Sequence, residues 1–245
     1  MRVTYWPLTL LACAMALFQP GLAAAATAPT VALVEDYNYH TLPRPEPVST
    51  GNRIEVLEAF SYGCVHCNEY EPSVRAWKAR QPKDVALVLM PATFNGNFAL
   101  YARGYYAAEA LGVADKLHEQ VFEAVWDKGR AANNLDSLAD LYASLGVDRA
   151  RFLAAARSIG VEAKLSATTQ KSERLQLQGT PTFYVDGKYQ VLTTAAQSYD
   201  DIFARVDALV ARARAERAAA GKPAGATKPA PTVKAPPAPD AKSRR

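Results

Sequence analysis

The run Ile54-Glu55-Val56-Leu57-Glu58-Ala59-Phe60 is mostly apolar, has strand length and ends where a loop with two cysteines begins. A helix is expected to start at those cysteines and continue to about Arg80. Pro72 removes a backbone donor inside it and predicts a kink. Residues 85–90 are continuously apolar, as in a central strand buried on both faces. From Phe98 to about Leu175 the pattern changes to helices, punctuated by Gly112-Val113, Gly129-Arg130, Gly146-Val147 and Gly160-Val161. Apolar positions such as Leu117, Val121 and Val125, or Leu138, Leu141, Tyr142 and Leu145, follow the 3.6-residue period. Thr182-Phe183-Tyr184-Val185 and Tyr189-Gln190-Val191-Leu192 flank Asp186-Gly187, a hairpin signal. A last helix is expected from Tyr199 to about Arg214. Residues 27–52, rich in Pro and Thr, read as an extended lead-in. The predicted order is therefore strand, helix, strand, helical block, hairpin, helix, with no repeat at solenoid periods.

The two ends change the picture. A basic start at Arg2, an apolar stretch over 7–18 and the alanine run at 23–26 mark residues 1–26 as a cleaved secretory signal peptide. Gln19-Pro20-Gly21 interrupts the apolar stretch before it reaches the roughly 20 residues a spanning helix needs. Leu10-Leu11-Ala12-Cys13 resembles a lipoprotein box, so a lipid anchor at Cys13 is a minor alternative. At the other end, residues 216–245 are rich in Ala, Pro and Lys and cannot bury enough surface to order themselves, so a disordered tail is expected. From Ala218 onward, Lys222, Lys228, Lys234, Lys242, Arg244 and Arg245, against Asp240 alone, supply more than the whole formal charge of +4. The body is near neutral, and the overall basicity is no argument for nucleic-acid binding.

Between the ends lie about 190 residues, the span of one domain or of one domain carrying an insertion. Three cysteines are present and Cys13 falls in the signal, which leaves Cys64 and Cys67. A bridge across so short a loop constrains little of the unfolded chain. A static structural disulfide is thus the weaker reading and redox chemistry the stronger. Two intervening residues at a helix start leave the first sulfur exposed, where unpaired N–H groups and the helix dipole stabilise its thiolate, with the second about a turn deeper. Cys64 is assigned as the attacking and leaving sulfur and Cys67 as the resolving one. His66 can add positive charge or a hydrogen bond near Cys64, stabilising the reduced form. Cys64, His66 and Cys67 are too crowded for a zinc tetrahedron, and Asn68 stands where haem attachment needs histidine. No metal and no cofactor are expected.

The stretch Val56-Leu57-Glu58-Ala59-Phe60-Ser61-Tyr62-Gly63-Cys64-Val65-His66-Cys67, with the later Gly179-Thr180-Pro181-Thr182-Phe183, resembles the DsbA family of bacterial periplasmic oxidases. The similarity spans about 37–210. It implies an α/β thioredoxin fold with an inserted α-helical domain: residues 27–97 and 173–215 form the thioredoxin-like domain and 98–172 the insertion. The resemblance further implies a cis Thr180-Pro181 peptide facing the cysteines. Read without it, Pro181 is as well an ordinary turn proline. It also implies that Glu58 is the buried acid beneath the dithiol, and that Tyr62, Val65, Thr180 and Pro181 contact substrate. Phe94, Tyr62 and the Thr180-Pro181 loop suggest an apolar groove for unfolded chains. His118 and Trp126 read as core packing, and His40 as a loop residue with no visible partner.

The implied activity is disulfide donation from Cys64–Cys67 to exported, folding proteins by a periplasmic monomer, with a membrane partner resembling DsbB reoxidising it. A disulfide isomerase or reductase kept reduced, and a non-catalytic periplasmic binding or holdase protein, are the alternatives. Three features depart from the family pattern. Val65 replaces the proline common between the cysteines, Thr180 stands where valine is common, and 85–90 lacks the lysine that partners the buried acid.

Overall fold

The structure, a computed structural model, describes residues 31–193, 196 and 198–221. The expected signal peptide, Cys13 and the tail beyond 221 lie outside the described residues. All four predicted strands are found: β2 (Ile54–Phe60), β3 (Val85–Pro91), β4 (Thr182–Val185) and β5 (Tyr189–Val191). A further strand, β1 (Tyr39–Thr41), was expected only as extended lead-in. It pairs antiparallel with β5, Tyr39 opposite Val191, and its ring meets the Tyr189 ring edge-on at 5.8 Å. Three residues are too few for a period to show. The sheet order is β1-β5-β4-β2-β3, with β2 and β3 parallel and the other pairs antiparallel.

All seven residues of β2 are buried because the strand lies inside the sheet, with both faces covered. Strand alternation sends Ile54, Val56, Glu58 and Phe60 to one face and Leu57 and Ala59 to the other. Leu57 and Ala59 pack with Leu42, Met90, Leu175 and Tyr184. Val56 packs with Val74 and Trp77 of α1 (Val65–Ala79). Glu58 therefore shares the face that α1 covers. The helix buries Cys67, Glu71, Val74 and Trp77, spaced four, three and three residues apart as one stripe demands. It continues through Pro72 as one element.

Between β3 and β4 five helices follow one another: α2 (Gly96–Ala110), α3 (Ala114–Trp126), α4 (Leu135–Ser144), α5 (Arg149–Ala156) and α6 (Ile159–Arg174). Side chains of Asn95, Asn134, Asp148 and Ser158 each accept a backbone N–H at the starts of α2, α4, α5 and α6. Their shared core holds Tyr101, Leu117, Val121, Phe122, Leu138, Tyr142 and Phe152, and it reaches Phe60 and Tyr62.

The last helix, α7 (Tyr199–Gly221), runs past the expected end near Arg214. Composition alone gave the last turns nothing to bury, but polar contacts anchor them. Glu216 accepts from Tyr189 Oη at 2.6 Å and from Lys188 Nζ at 3.1 Å. Arg217 bonds Asp186 and donates to the Asn52 carbonyl at 3.0 Å.

The β4–β5 turn depends on one glycine. Gly187 sits at φ +63°, and a Cβ there would lie 2.0 Å from the Glu46 carbonyl oxygen. The left-handed backbone costs an alanine about 1–2 kcal/mol, and the backbone contact adds to that. Gly187→Ala is expected to destabilise the protein by about 2 kcal/mol or more in urea unfolding. An unchanged midpoint would show that the turn relaxes freely.

Candidate active site

Cys64 caps the N-terminus of α1 in extended conformation (φ −102°, ψ 118°), so the first helical N–H groups point toward its sulfur. Both cysteines are free thiols here and both are buried, Cys64 at 9% and Cys67 at 1% exposure. One turn into the helix, Cys67 is sealed by packing while Cys64 stays at the rim. Across from them the Thr180–Pro181 peptide is cis, and the Cys64 thiol donates to the Thr180 carbonyl oxygen at 3.4 Å. Tertiary packing thus places a substrate-sized stretch of backbone against the first sulfur, about 116 positions away in sequence.

The two sulfurs are driven apart in acidity. A hydrogen bond from the Cys67 side chain, then ones from the Thr180 side chain and the backbone N–H groups of Cys67 and His66, hold the Cys64 thiolate. Burial opposes them, and the balance brings its pKa down to about 5. Burial pushes the Cys67 thiol far up, reinforced by the neighbouring Cys64 sulfur. One sulfur is ready to attack or leave at neutral pH and the other holds its proton. In the reduced protein, thiolate absorbance near 240 nm should titrate with a midpoint of about 5 and report Cys64 alone. A midpoint near 8 would remove the basis for this asymmetry.

His66 is exposed, and its Nδ1 lies 3.0 Å from Glu69 Oε2. That carboxylate, more than the attraction of Cys64, raises the His66 pKa. The expected side-chain bond to Cys64 is not made; His66 reaches the sulfur through its backbone N–H. Glu58 lies beneath the dithiol at 3% exposure, and its Oε2 has no hydrogen-bond partner among the described residues. Burial, with repulsion from Glu71, pushes its pKa up to about 8, so it is a neutral acid at pH 7. No lysine of β3 reaches it, in keeping with the apolar run at 85–90.

Tyr62 departs from the expected role in a substrate groove. It is 2% exposed and packs edge-on against Phe60 and Phe122, with centroids at 5.2 and 4.9 Å. Its preceding strand carries it into the helical core before the chain turns out to Gly63. That turn is tight: a Cβ on Gly63 would lie 2.5 Å from Asn97 Oδ1 and 3.0 Å from the Tyr101 ring. Val65, next to Cys64, is 43% exposed, and Phe94, in the β3–α2 loop, is 45% exposed.

A match to the family model for the DSBA-like thioredoxin domain covers residues 55–206. The chain belongs to the DsbA family. It is 33% identical over 205 residues to the thiol:disulfide interchange protein DsbA of Pseudomonas aeruginosa, covering 82% of this chain and 96% of the relative. Against the protein of the same name in Bordetella pertussis it is 34% identical over 177 residues, 72% of this chain and 84% of the relative. Among solved structures, the oxidoreductase DsbA from Xylella fastidiosa superposes with a TM-score of 0.70 at 37% identity, covering 75% of this chain and 98% of that one. The fold is accordingly the thioredoxin-like DsbA fold, with α2–α6 standing between β3 and β4.

Against the DsbA pattern, three residues have roles that reading the sequence missed. Trp126, expected to be core, is 37% exposed and its Nε1 donates to the Tyr62 carbonyl at 2.9 Å. His118 pairs through Nδ1 with Tyr62 Oη at 2.9 Å, and its Nε2 is 3.8 Å from Glu71 Oε2. Burial holds its pKa down to about 4, so the ring is neutral and takes one proton role toward Tyr62. Together they fix the loop that enters Cys64. Glu71 was legible in principle, since it lies four residues after Cys67 on one helix face. His40, expected to be unpartnered in a loop, lies in β1 with Nδ1 2.7 Å from Asp36 Oδ1. With Glu35 these two bring ligand-type atoms within 4.8 Å of one another, but Glu35 is held by Thr41 at the strand end.

Proposed function

We propose that this protein donates the Cys64–Cys67 disulfide to exported polypeptides as they fold. The observation that carries the reading is the split between the sulfurs: Cys64 at a helix N-terminus with its pKa near 5, and Cys67 buried and protonated. A substrate thiolate attacks the Cys64 sulfur of the oxidised protein, and Cys67 leaves as a thiolate. Glu58, neutral at pH 7, is the group placed to give that thiolate its proton. The substrate's second thiolate then attacks its own sulfur in the mixed disulfide, and Cys64 leaves as the stable thiolate. Two electrons pass to the protein, and the substrate gains one disulfide.

Thr180 and Pro181 support the approach of an extended substrate to Cys64, and Val65 gives it an apolar contact. The alanine-ended leader supports export to the periplasm, with cleavage near 25–26. A membrane partner resembling DsbB is the proposed reoxidant, and the monomer is the proposed working form. Residues 98–172 are proposed as the inserted helical domain, with 27–97 and 173–215 as the two parts of the thioredoxin-like domain.

Alkylation of the exported protein with a mass tag tests the direction of work. Cys64 and Cys67 should be found mostly oxidised. A mostly reduced pair would overturn the oxidase reading in favour of an isomerase or reductase.

A further inference from the structure

The start of α1 places His66 two positions after Cys64 and Glu69 three positions after His66. Side chains three apart on a helix are neighbours, and here they meet: His66 Nδ1 is 3.0 Å from Glu69 Oε2. Both are exposed, His66 at 68% and Glu69 at 47%, so packing constrains the ring little and the bond to Glu69 sets where it points. Engaged there, the imidazole makes no hydrogen bond to the Cys64 sulfur, which keeps only the His66 backbone N–H. Among the described residues the charges that act on the ring are Glu69 and the Cys64 thiolate, and Glu69 acts more strongly.

Charge beside Cys64 bears on the redox equilibrium because only the reduced protein carries a thiolate there. An imidazolium bonded to that thiolate stabilises the reduced form and makes the disulfide a stronger oxidant. An imidazolium bonded to a carboxylate has most of its charge answered before it can act on the sulfur. The two partners of His66 thus compete for one ring, and the structure shows Glu69 holding it.

We propose that Glu69 is a positioning residue that tunes the dithiol. It keeps the His66 imidazolium on its own carboxylate, and the Cys64–Cys67 disulfide is a weaker oxidant than it would be with that ring released to the Cys64 sulfur. The inference rests on thiol–disulfide exchange at Cys64 and Cys67, whichever direction that exchange runs in the exported protein. Exposed pairs at this spacing are weak, so the expected change is about threefold in the exchange equilibrium. For a two-electron couple that is about 14 mV, at about 30 mV per tenfold.

The test is the equilibrium constant of the whole protein with glutathione, measured for the unaltered protein, Glu69→Ala, His66→Ala and the double variant. It is read at about pH 6, where Cys64 is ionised and the imidazole charged, and at about pH 9, where the imidazole is neutral. At the lower pH Glu69→Ala should be about threefold more oxidising than the unaltered protein. That ratio should approach one at the higher pH. Adding Glu69→Ala to His66→Ala should change nothing, because the ring through which Glu69 acts is gone. An unchanged constant in Glu69→Ala, or a shift toward a weaker oxidant, would overturn the proposal. So would an equal shift with and without His66, which would assign the effect to the charge of Glu69 itself. Failure of the unaltered protein to exchange with glutathione at all would overturn the redox reading of the dithiol and this inference with it.

Discussion

Cys64→Ser should lower the rate at which the protein oxidises a reduced two-cysteine peptide by roughly a thousandfold or more, to the uncatalysed level. Serine keeps the size and the helix cap but supplies no sulfur, and Cys67 cannot substitute because it is 1% exposed. Cys67→Ser should behave differently. The Cys64 thiolate would still attack an activated disulfide of a single-cysteine peptide and release the activating thiol, and the protein–peptide disulfide would persist because no second thiol stands beside it to resolve it. Stopped-flow oxidation measures the first effect, and mass spectrometry of the trapped adduct measures the second. Residual oxidation by Cys64→Ser would mean that the chemistry does not run through this sulfur, and a binding or holdase role would become the better account.

The parts of the fold that could be read from sequence are those governed by one period over many residues. β2, β3, the hairpin and the helical run from α2 to α6 follow their apolar spacing, because each buries a face against a large neighbour. β1 was not legible. Tyr39, His40 and Thr41 are held by pairing with a strand about 150 positions later, and three residues carry no pattern of their own. The end of α7 was illegible for a different reason. Its anchors are ion pairs to Asp186 and Lys188, and a composition of Ala, Glu and Arg gives no hint of them.

The site divides in the same way. Cys64 and Cys67 declare themselves by spacing, and Pro181 by resemblance. The shell around them depends on which side chains the fold turns inward. Tyr62, read as a substrate contact, is drawn into the helical core, where His118 satisfies its hydroxyl. Trp126, read as core, is at the surface, where its indole N–H holds the loop before the cysteines. Both reversals come from α3 packing against the loop between β2 and α1, which no local window contains. The missing lysine leaves Glu58 with burial and a second acid, Glu71, for neighbours. The proton beneath the dithiol is therefore held more firmly by this environment than a cation beside it would allow.

That environment sets the second large effect. Glu58 has a folded pKa near 8 against an ordinary value of 4.5. A carboxyl raised in the folded state favours folding fully below about pH 4.5, and that contribution is lost as pH rises through about 8. At pH 7 the folded acid is neutral while the unfolded one is ionised, a penalty of about 3 kcal/mol relative to pH 4. Glu58→Leu removes the titrating group and fills similar volume, and Glu58 Oε2 has no hydrogen bond to lose. The variant should therefore be more stable than the unaltered protein by about 2–4 kcal/mol at pH 7 in urea unfolding, with the difference nearly gone at pH 4. The same variant should oxidise peptides more slowly at pH 7, because Cys67 would leave with no acid beside it to supply the proton. A stability difference equal at both pH values would show that Glu58 is ionised in the folded protein, and its role as the proton donor to Cys67 would fall with it.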